Sequence, residues 1–374
     1  MAGRVDVVVV GLGAMGSAVA RALAQRGQRV VGLDRFSPPH SLGSSHGRSR
    51  IIREAYFEHP AYVPLVQRAY ELWGELEEEA GRPLWRLTGG LMAGPPDGVL
   101  VRGARRSAEV HGLPYEDLSG AEIARRFPAF APEPGMVGVL EPRAGVLFPE
   151  ACIEAALKSA ARAGAELHVD DEVQAWRADG GGVEVRSARG SWSAGRLVIA
   201  AGAWIRRFLP DLPLTVARQV LHWFEPLRDE AVFAPGVCPI SLWEVEHGRI
   251  FYAFPDLGDG VKAAIHHEGE TTDAEHVRRD VTADDEATVR SLVERLLPAA
   301  AGRRRESCVC LYTNTPDHDF LIDRHPGHEQ VFIVSPCSGH GFKFSPVIGE
   351  IVADLVTTGG SRFDLTPFSL ERFR

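Results

Sequence analysis

The chain contains very little lysine. Only Lys158, Lys262 and Lys343 are lysines, and the other 38 of its 41 basic residues are arginines. Such a composition uses arginine wherever a positive charge is sufficient, yet a planar guanidinium does not replace a compact ammonium whose pKa shifts readily on burial. Lys158 lies in a helix-forming run and is interpreted as solvated. Lys262 and Lys343 lie in segments unlike surface helices, and for them a functional role and an ordinary solvated or salt-bridged role both stay open.

Other scarcities argue against whole classes of protein. Five cysteines, odd in number and without CxxC spacing, argue against a disulfide framework and a cysteine metal site, and they fit a reducing, cytoplasmic location. The net charge of −9 argues against a nucleic-acid surface. No segment approaches the roughly 18 apolar residues of a transmembrane helix, and no secretory signal is recognisable. We therefore expect no metal and no nucleic-acid or membrane partner.

The N-terminal segment carries a dinucleotide-binding pattern. An apolar, β-branched run is followed at once by GxGxxG at Gly11, Gly13 and Gly16, then by a helical segment and a second apolar run that ends at Asp34. This order within about 30 residues predicts dinucleotide binding rather than a plain βαβ turn. Gly11 permits the tight turn, Gly13 lets the backbone approach a pyrophosphate, and Gly16 lets helix and strand pack closely. Asp34 can accept hydrogen bonds from ribose hydroxyls, but the pattern does not separate FAD from NAD.

Two later segments also combine a buried strand with small residues. Residues 196–201 form an apolar run that leads into Gly202, where a ligand-facing sheet edge and an ordinary buried turn are both open interpretations. Residues 330–334 form another run, followed by a loop with Gly339 and Gly341. These two glycines are expected to let the backbone approach a ligand, and the next helix N-terminus is expected to favour an anion. A second GxGxxG is absent, so a single dinucleotide is predicted.

The length of 374 residues and a change in texture along the chain predict two interleaved domains. Residues 83–145 and 217–316 are richer in aromatic residues and proline and contain alternating runs such as 249–254, which is typical of antiparallel strands. We expect these segments to form a mostly antiparallel substrate domain. The Rossmann-like dinucleotide-binding domain is expected to comprise 1–82, 146–216 and 317–374. The predicted fold class is α/β.

Four motifs, in order along nearly the whole chain, resemble a known family. They are Gly11 to Gly16 with Asp34, His46-Gly-Arg-Ser-Arg-Ile-Ile-Arg53, Cys310-Leu-Tyr-Thr313 and Ser338-Gly-His-Gly-Phe-Lys343. The set resembles the monomeric sarcosine oxidase and N-methyltryptophan oxidase family, within the D-amino-acid-oxidase-like flavoproteins. The resemblance implies FAD rather than NAD, tethered through the sulfur of Cys310. It also implies a monomeric oxidase that converts a secondary amino acid and O2 to an imine and hydrogen peroxide.

The resemblance also implies roles for individual residues. Arg53 and Lys343 match the pair that holds the substrate carboxylate, and Arg50 and Lys262 match cations near the flavin ring, the lysine promoting reaction with O2. The pocket residues are expected to be Tyr252, His266 and Trp243. The residues expected to bind the cofactor are Gly11, Gly13, Ala14, Met15, Gly16, Asp34, Arg35, Ser45, His46, Arg50, Val173, Gly202, Cys310, Gly339, Gly341, Phe342 and Lys343. His46 and His266 could equally be structural, hydrogen-bonded histidines.

Two departures from the family bear on the substrate. Cys337 stands where related sequences carry an aromatic residue, and Trp243 stands where a smaller apolar residue is expected. If Trp243 lines the pocket, the substrate need not be sarcosine. A glycine-oxidase-like enzyme acting on glycine or a bulkier N-substituted glycine therefore stays open. So do an NAD-linked dehydrogenase and a catalytically silent flavin-fold binding protein.

Overall fold

The computed structural model describes residues 5–227 and 230–374, except for the side chain of His247. Within these residues the chain forms two large β-sheets, a small third sheet and seven α-helices. The helices are α1 (Ala14–Gln25), α2 (Val63–Ala80), α3 (Val99–His111), α4 (Gly120–Arg126), α5 (Pro149–Arg162), α6 (Ala283–Leu296) and α7 (Ser345–Thr357). No helix in these ranges has the length and apolarity to cross a bilayer. The mixed architecture agrees with the expected α/β class.

The first sheet has a parallel centre. Its strands in the described chain are β1 (Val5–Val10), β2 (Val30–Leu33), β9 (Glu166–His168), β10 (Val173–Asp179), β11 (Gly182–Ser187), β12 (Ser191–Ile199), β19 (Leu321–His325) and β20 (His328–Ser335). β1 lies between its parallel partners β12 and β2. Val7 and Val9 of β1 pack in the cluster formed with α1, α5 and α7, whereas Val8 and Val10 pack in the cluster on the opposite face. A strand buried on both faces needs the continuous apolar run seen in the sequence.

The second sheet is mostly antiparallel. Its strands among the described residues are β5 (Gly90–Gly94), β6 (Glu116–Ser119), β7 (Val137–Glu141), β13 (Thr215–Phe224), β14 (Ile240–Glu244), β15 (Ile250–Ala253), β16 (Val261–His266), β17 (Glu270–Thr272) and β18 (Arg304–Asn314). β14 and β5 are the parallel pair in it. Helix α6 packs on this sheet and begins with a capping box, in which Thr282 and Asp285 exchange side-chain-to-backbone hydrogen bonds.

A small third sheet connects distant parts of the chain. It pairs β8 (Gly145–Leu147) with β3 (Arg50–Ile52) on one side and β4 (Trp85–Leu87) on the other. Arg50 opens β3 and Arg53 follows its last residue, so this sheet holds the backbone that carries both arginines.

Most local expectations are confirmed, with shifts at element ends. The run Gly180-Gly181-Gly182 between two strand-like segments predicts a hairpin turn, and the hairpin is present, since β10 ends at Asp179 and β11 begins at Gly182. The strand expected at residues 196–201 instead covers Ser191–Ile199, because its first half pairs with β11. Cys308 and Cys310 share one face of β18, as their spacing predicts.

Candidate active site

A deep cavity lies between the first and second sheets. The ends of β1, β2 and β12 form one part of its wall, and β15, β16 and β18 form another. Most residues expected at the two binding sites line this single cavity. They are Gly11, Gly13, Ala14, Met15, Asp34, Arg35, Ser45, Arg50, Arg53, Val173, Gly202, Tyr252, Lys262, His266, Cys310, Gly339, Gly341, Phe342 and Lys343.

Each glycine of the GxGxxG pattern has a different steric role. Gly11 has φ +89°, and a Cβ there would lie 2.5 Å from the carbonyl oxygen of Ala200, the residue that follows β12. A Cβ at Gly16 would lie 1.7 Å from the carbonyl oxygen of Gly11, so Gly16 packs the helix against the turn and does not line the cavity. At Gly13 no atom lies within 4 Å of an added Cβ, which leaves room for a ligand at the start of α1.

The start of α1 and Asp34 form the dinucleotide end of the cavity. No side chain caps the N-terminus of α1, so its first N–H groups are available to a phosphate. Asp34 accepts hydrogen bonds from the backbone N–H of Leu12 at 2.6 Å and of Phe36 at 2.8 Å. Burial raises the pKa of this carboxyl above its usual value. Because a carboxylate offers about four acceptor positions, Asp34 can still accept from a ribose hydroxyl. The open space and the uncapped helix therefore fit a dinucleotide.

Two cations, the buried Lys262 and the half-buried Arg50, lie in the wall of the cavity. Lys262 Nζ donates to the carbonyl oxygens of Gly47 (2.7 Å) and Ser49 (2.9 Å) and to Ser49 Oγ (2.9 Å). It also lies 4.8 Å from the ring centroid of Phe254. Three acceptors suit an ammonium, whereas burial and the charge of Arg50 lower the pKa of Lys262 to about 7. Arg50 donates to the carbonyl oxygen of Ser49 at 2.7 Å.

The two cysteines of β18 differ in their surroundings. Cys310 lines the cavity, and its Sγ lies 3.5 Å from Nη2 of Arg50. Cys308 Sγ lies 3.9 Å from Nδ1 of His46, and burial raises the pKa of the Cys308 thiol to about 11. His46 is buried behind the wall rather than lining the cavity, and burial with the charge of Arg50 lowers its pKa to about 4. Cys310 is thus the better-placed thiol for a ligand in the cavity.

Arg53 and Lys343 form a second pair of buried cations. Nη2 of Arg53 donates to both carboxylate oxygens of Glu58, each at 2.7 Å, and Nη1 donates to the carbonyl oxygen of Ala55 at 3.1 Å. Lys343 Nζ donates to the carbonyl oxygen of His340 at 2.7 Å and to the hydroxyl of Tyr56 at 3.3 Å. Burial and the charge of Arg53 lower the pKa of Lys343 to about 7.

Aromatic residues and a histidine form the wall between these cation pairs. His266 Nδ1 lies 3.2 Å from the hydroxyl of Tyr312, and burial holds the pKa of this histidine well below its usual value. His266 is therefore a neutral imidazole. Tyr252 lines the same wall, and burial raises its pKa. Leu242, opposite Tyr252 in the β14–β15 pair, also faces the cavity.

Trp243 does not lie where the sequence suggested. It is fully buried in the apolar cluster on the other face of the second sheet, edge-on to Phe130 with ring centroids 5.3 Å apart. The reason is strand alternation, since neighbouring residues of β14 point to opposite faces. Leu242 therefore occupies the cavity position that was expected for Trp243, so Trp243 gives no reason to expect a substrate other than sarcosine.

The loop glycines also serve a different purpose from the expected one. Gly339 has φ +77°, and a Cβ there would lie 2.3 Å from the Tyr312 ring. A Cβ at Gly341 would lie 1.7 Å from the carbonyl oxygen of Pro336. Both glycines line the cavity, but close contacts within the protein already require them. Their presence therefore gives no separate indication of a ligand.

Three residues of the site had no role in the sequence interpretation. Ser49 lies within a quoted motif and supplies two acceptors to Lys262. Tyr56 and Glu58 follow Arg53 closely and contact the second cation pair. In the sequence, Glu58 lies five residues after Arg53, and an acid near an arginine can indicate an ion pair. Outside a helix, however, such a spacing fixes no geometry, so only the structure shows the bidentate pair.

Comparison with known proteins agrees with this arrangement. A family model described as FAD dependent oxidoreductase matches residues 6–355. Monomeric sarcosine oxidase of Streptomyces avermitilis is 43% identical over 98% of this chain and 97% of its own, and N-methyl-L-tryptophan oxidase of Yersinia pestis is 34% identical over 99% of each. The structure of NikD, an unusual amino acid oxidase essential for nikkomycin biosynthesis, shares the fold with a TM-score of 0.85 and 24% identity, covering 98% of this chain and 97% of NikD. The chain belongs to the FAD dependent oxidoreductase family.

Proposed function

We propose that the protein is an FAD-dependent oxidase that converts sarcosine or another N-methyl or N-substituted amino acid, with O2, to an imine and hydrogen peroxide. The names of its relatives, monomeric sarcosine oxidase and N-methyl-L-tryptophan oxidase, support this substrate class. The observation that carries the proposal is the buried pair Arg53 and Lys343 in the wall of the cavity. An amino-acid substrate brings the carboxylate that such a pair needs.

The charge balance of this pair favours one incoming carboxylate. Arg53 and Lys343 together carry two positive charges when Lys343 is protonated, and Glu58 supplies one negative charge. Of the three N–H donors of Lys343, the contacts to His340 and Tyr56 use two and leave one. Arg53 uses three of its five donors on Glu58 and Ala55 and keeps two. The substrate carboxylate can therefore bind both cations without displacing Glu58.

FAD is held, in this proposal, by residues along the length of the cavity. The N-terminus of α1 and Gly13 would hold the pyrophosphate, Asp34 would hold the ribose, and Arg50 and Cys310 would hold the ring system. When bound, FAD would supply the redox chemistry by which the amine is oxidised and O2 is reduced. The protein orients the substrate through its carboxylate and surrounds it with the apolar wall, which excludes water.

The covalent link is the first test. The cavity-lining position of Cys310 and the position of Cys308 beside His46 support attachment through Cys310. We expect acid-precipitated wild type to stay yellow, Cys310→Ala to release its flavin into the supernatant, and the matched Cys308→Ala variant to retain it. Absorbance of pellet and supernatant is the measurement. Retention by Cys310→Ala with release by Cys308→Ala would move the link to Cys308.

The pH dependence of carboxylate binding tests the role of Lys343. The pKa of Lys343 is about 7 without an anion, and a bound carboxylate would raise it because it favours the ammonium. Binding therefore takes up a proton above pH 7, and the affinity for acetate should fall as the pH rises above about 7, by up to about tenfold per unit. Acetate titrations followed by flavin absorbance measure this. The decline should be absent in Lys343→Met, and an unchanged decline there would assign it to another group.

A substrate panel separates the proposal from its alternatives. Tyr252, neutral His266 and Leu242 leave the size of the N-substituent open, so sarcosine, glycine and N-methyl-L-tryptophan should be compared under the same conditions. Anaerobic bleaching of the flavin and release of hydrogen peroxide in air are the readouts. Turnover of glycine alone would favour the glycine-oxidase-like alternative, and bleaching by none of these would refute the substrate class.

We also propose that the chain forms two interleaved domains, an FAD-binding domain of residues 1–82, 146–216 and 317–374 and a substrate domain of residues 83–145 and 217–316. The distribution of strands between the two large sheets supports it. We further propose that the protein is a monomer, which the name of its monomeric sarcosine oxidase relative supports, and that it works in a reducing cytoplasm, which the five free cysteines support.

A further inference from the structure

A buried carboxylate outside the cavity holds the backbone beside Arg53. Glu141, the last residue of β7, is 1% exposed. One of its carboxylate oxygens accepts the N–H of Glu54 at 2.6 Å, and the other accepts the N–H of Ala55 at 2.8 Å. These are the two residues that directly follow Arg53. The second sheet therefore holds the cation-bearing segment through a single side chain.

The contact continues to the guanidinium itself. The carbonyl oxygen of Ala55 accepts a hydrogen bond from Nη1 of Arg53 at 3.1 Å. Glu141 thus fixes Ala55, whose carbonyl oxygen orients Nη1 of the guanidinium. Glu58 accepts hydrogen bonds from the other terminal nitrogen, Nη2, at 2.7 Å. If Ala55 moves, the guanidinium loses the contact that sets its direction in the cavity.

The surroundings of Glu141 make a negative charge on its carboxyl group energetically unfavourable. In the described ranges no cation forms an ion pair with it within 4 Å. The charged and titratable groups that face it are Arg53, Glu54 and Tyr70. Burial raises the pKa of Glu141 to about 7. A carboxylate kept in such a place normally has a specific structural or functional task. Here both of its oxygens are used on the Arg53 segment.

We propose that Glu141 is a positioning residue that sets the direction of the Arg53 guanidinium for the substrate carboxylate. The proposal rests on the proposed function, in which Arg53 binds that carboxylate. Glu141 does not line the cavity and does not touch the substrate. It acts through the peptide groups of Glu54 and Ala55.

The test compares Glu141→Gln and Glu141→Met with a matched control, Glu244→Gln. Gln keeps one acceptor oxygen, whereas Met keeps the length and removes both. Glu244 is a buried carboxylate of the same sheet that accepts the backbone N–H of Leu100 at 2.8 Å, far along the sequence from Arg53. We expect the Kd for acetate and the KM for the substrate to rise by about 10- to 100-fold in Glu141→Met and less in Glu141→Gln. We expect kcat to stay within about threefold.

Three outcomes decide the matter. Flavin content and thermal unfolding establish that each variant is folded, and if Glu141→Met is not, Glu141→Gln carries the test. A Kd for acetate equal to that of Glu244→Gln overturns the proposal. In the Arg53→Met background, Glu141→Gln should change acetate binding no further, and an undiminished effect there also overturns it. If Arg53→Met by itself leaves acetate binding unchanged, the proposed function fails instead.

Discussion

Replacement of Lys262 by Gln is expected to slow the reaction of the reduced enzyme with O2 by several orders of magnitude. Reduction by substrate without oxygen should stay within about tenfold of the wild type. The physical reason is that O2 acquires negative charge as it accepts electrons, and a fixed ammonium in a site with little water stabilises that charge by several kcal/mol. Lys262 is buried, with Nζ held by Gly47 and Ser49. Stopped-flow traces of the two half-reactions measure the effect.

The pH dependence gives a second readout of the same charge. Burial and Arg50 lower the pKa of Lys262 to about 7, so its charge is present below this pH and is lost as the pH rises through it. The rate of reaction with O2 should therefore fall as the pH rises through about 7 in the wild type. In Lys262→Gln the slow rate should not show this fall.

Two further variants define what Lys262 contributes. Lys158→Gln is the matched control, because Lys158 is an exposed lysine paired with Glu154, and its loss should change neither half-reaction. Lys262→Arg keeps the charge in a larger group. The acceptors at 2.7–2.9 Å enclose a compact ammonium, so only partial recovery is expected. Unchanged reaction with O2 in Lys262→Gln would make Lys262 structural and leave Arg50 as the next candidate.

Replacement of Arg53 by Met should lower kcat/KM by roughly 2–4 kcal/mol, which is about 30- to 1000-fold, mostly through KM. The loss includes the guanidinium that is proposed to bind the substrate carboxylate, and it leaves the charge of half-buried Glu58 without its partner. Lys343→Met should act in the same direction. Steady-state kinetics with the best substrate in the panel provide the measurement.

The methyl ester of that substrate shows whether the carboxylate is what Arg53 binds. Wild type should use the ester about as poorly as Arg53→Met uses the acid, and the variant should discriminate little between the two. Arg143→Met is the matched control, because Arg143 is an exposed arginine that pairs with Glu54 in the same segment. Equal use of ester and acid by the wild type would refute the carboxylate clamp.

Local patterns predicted those parts of the fold that depend on neighbouring residues. The glycine turn after β1, the hairpin between β10 and β11 and the shared face of Cys308 and Cys310 follow from backbone geometry and strand alternation. The family resemblance then gathered Arg53, Lys262 and Lys343 into one site, and the structure places all three in the wall of one cavity.

What could not be predicted depends on register and on contacts between distant segments. Trp243 and Leu242 differ by one position, and a shift of one residue exchanges the faces of a strand. In the β14–β15 pair, Leu242 lies opposite the cavity-lining Tyr252, so Leu242 and not Trp243 faces the cavity. Glu141 is 86 residues from Ala55 in sequence, so no local pattern reveals their contact.

The interleaved strand order also determines when the site can form during synthesis. Val5 of β1 pairs with Ala194 of β12, and Leu197 of β12 pairs with Val331 of β20. Pairing over such separations is slow because loop closure precedes the stabilising contacts. The first sheet cannot be complete until β20 has left the ribosome. FAD therefore meets a finished site only at the end of translation. The edge of β1 needs protection until β12 has emerged, and the edge of β12 at Leu197–Ile199 needs it until β20 has emerged.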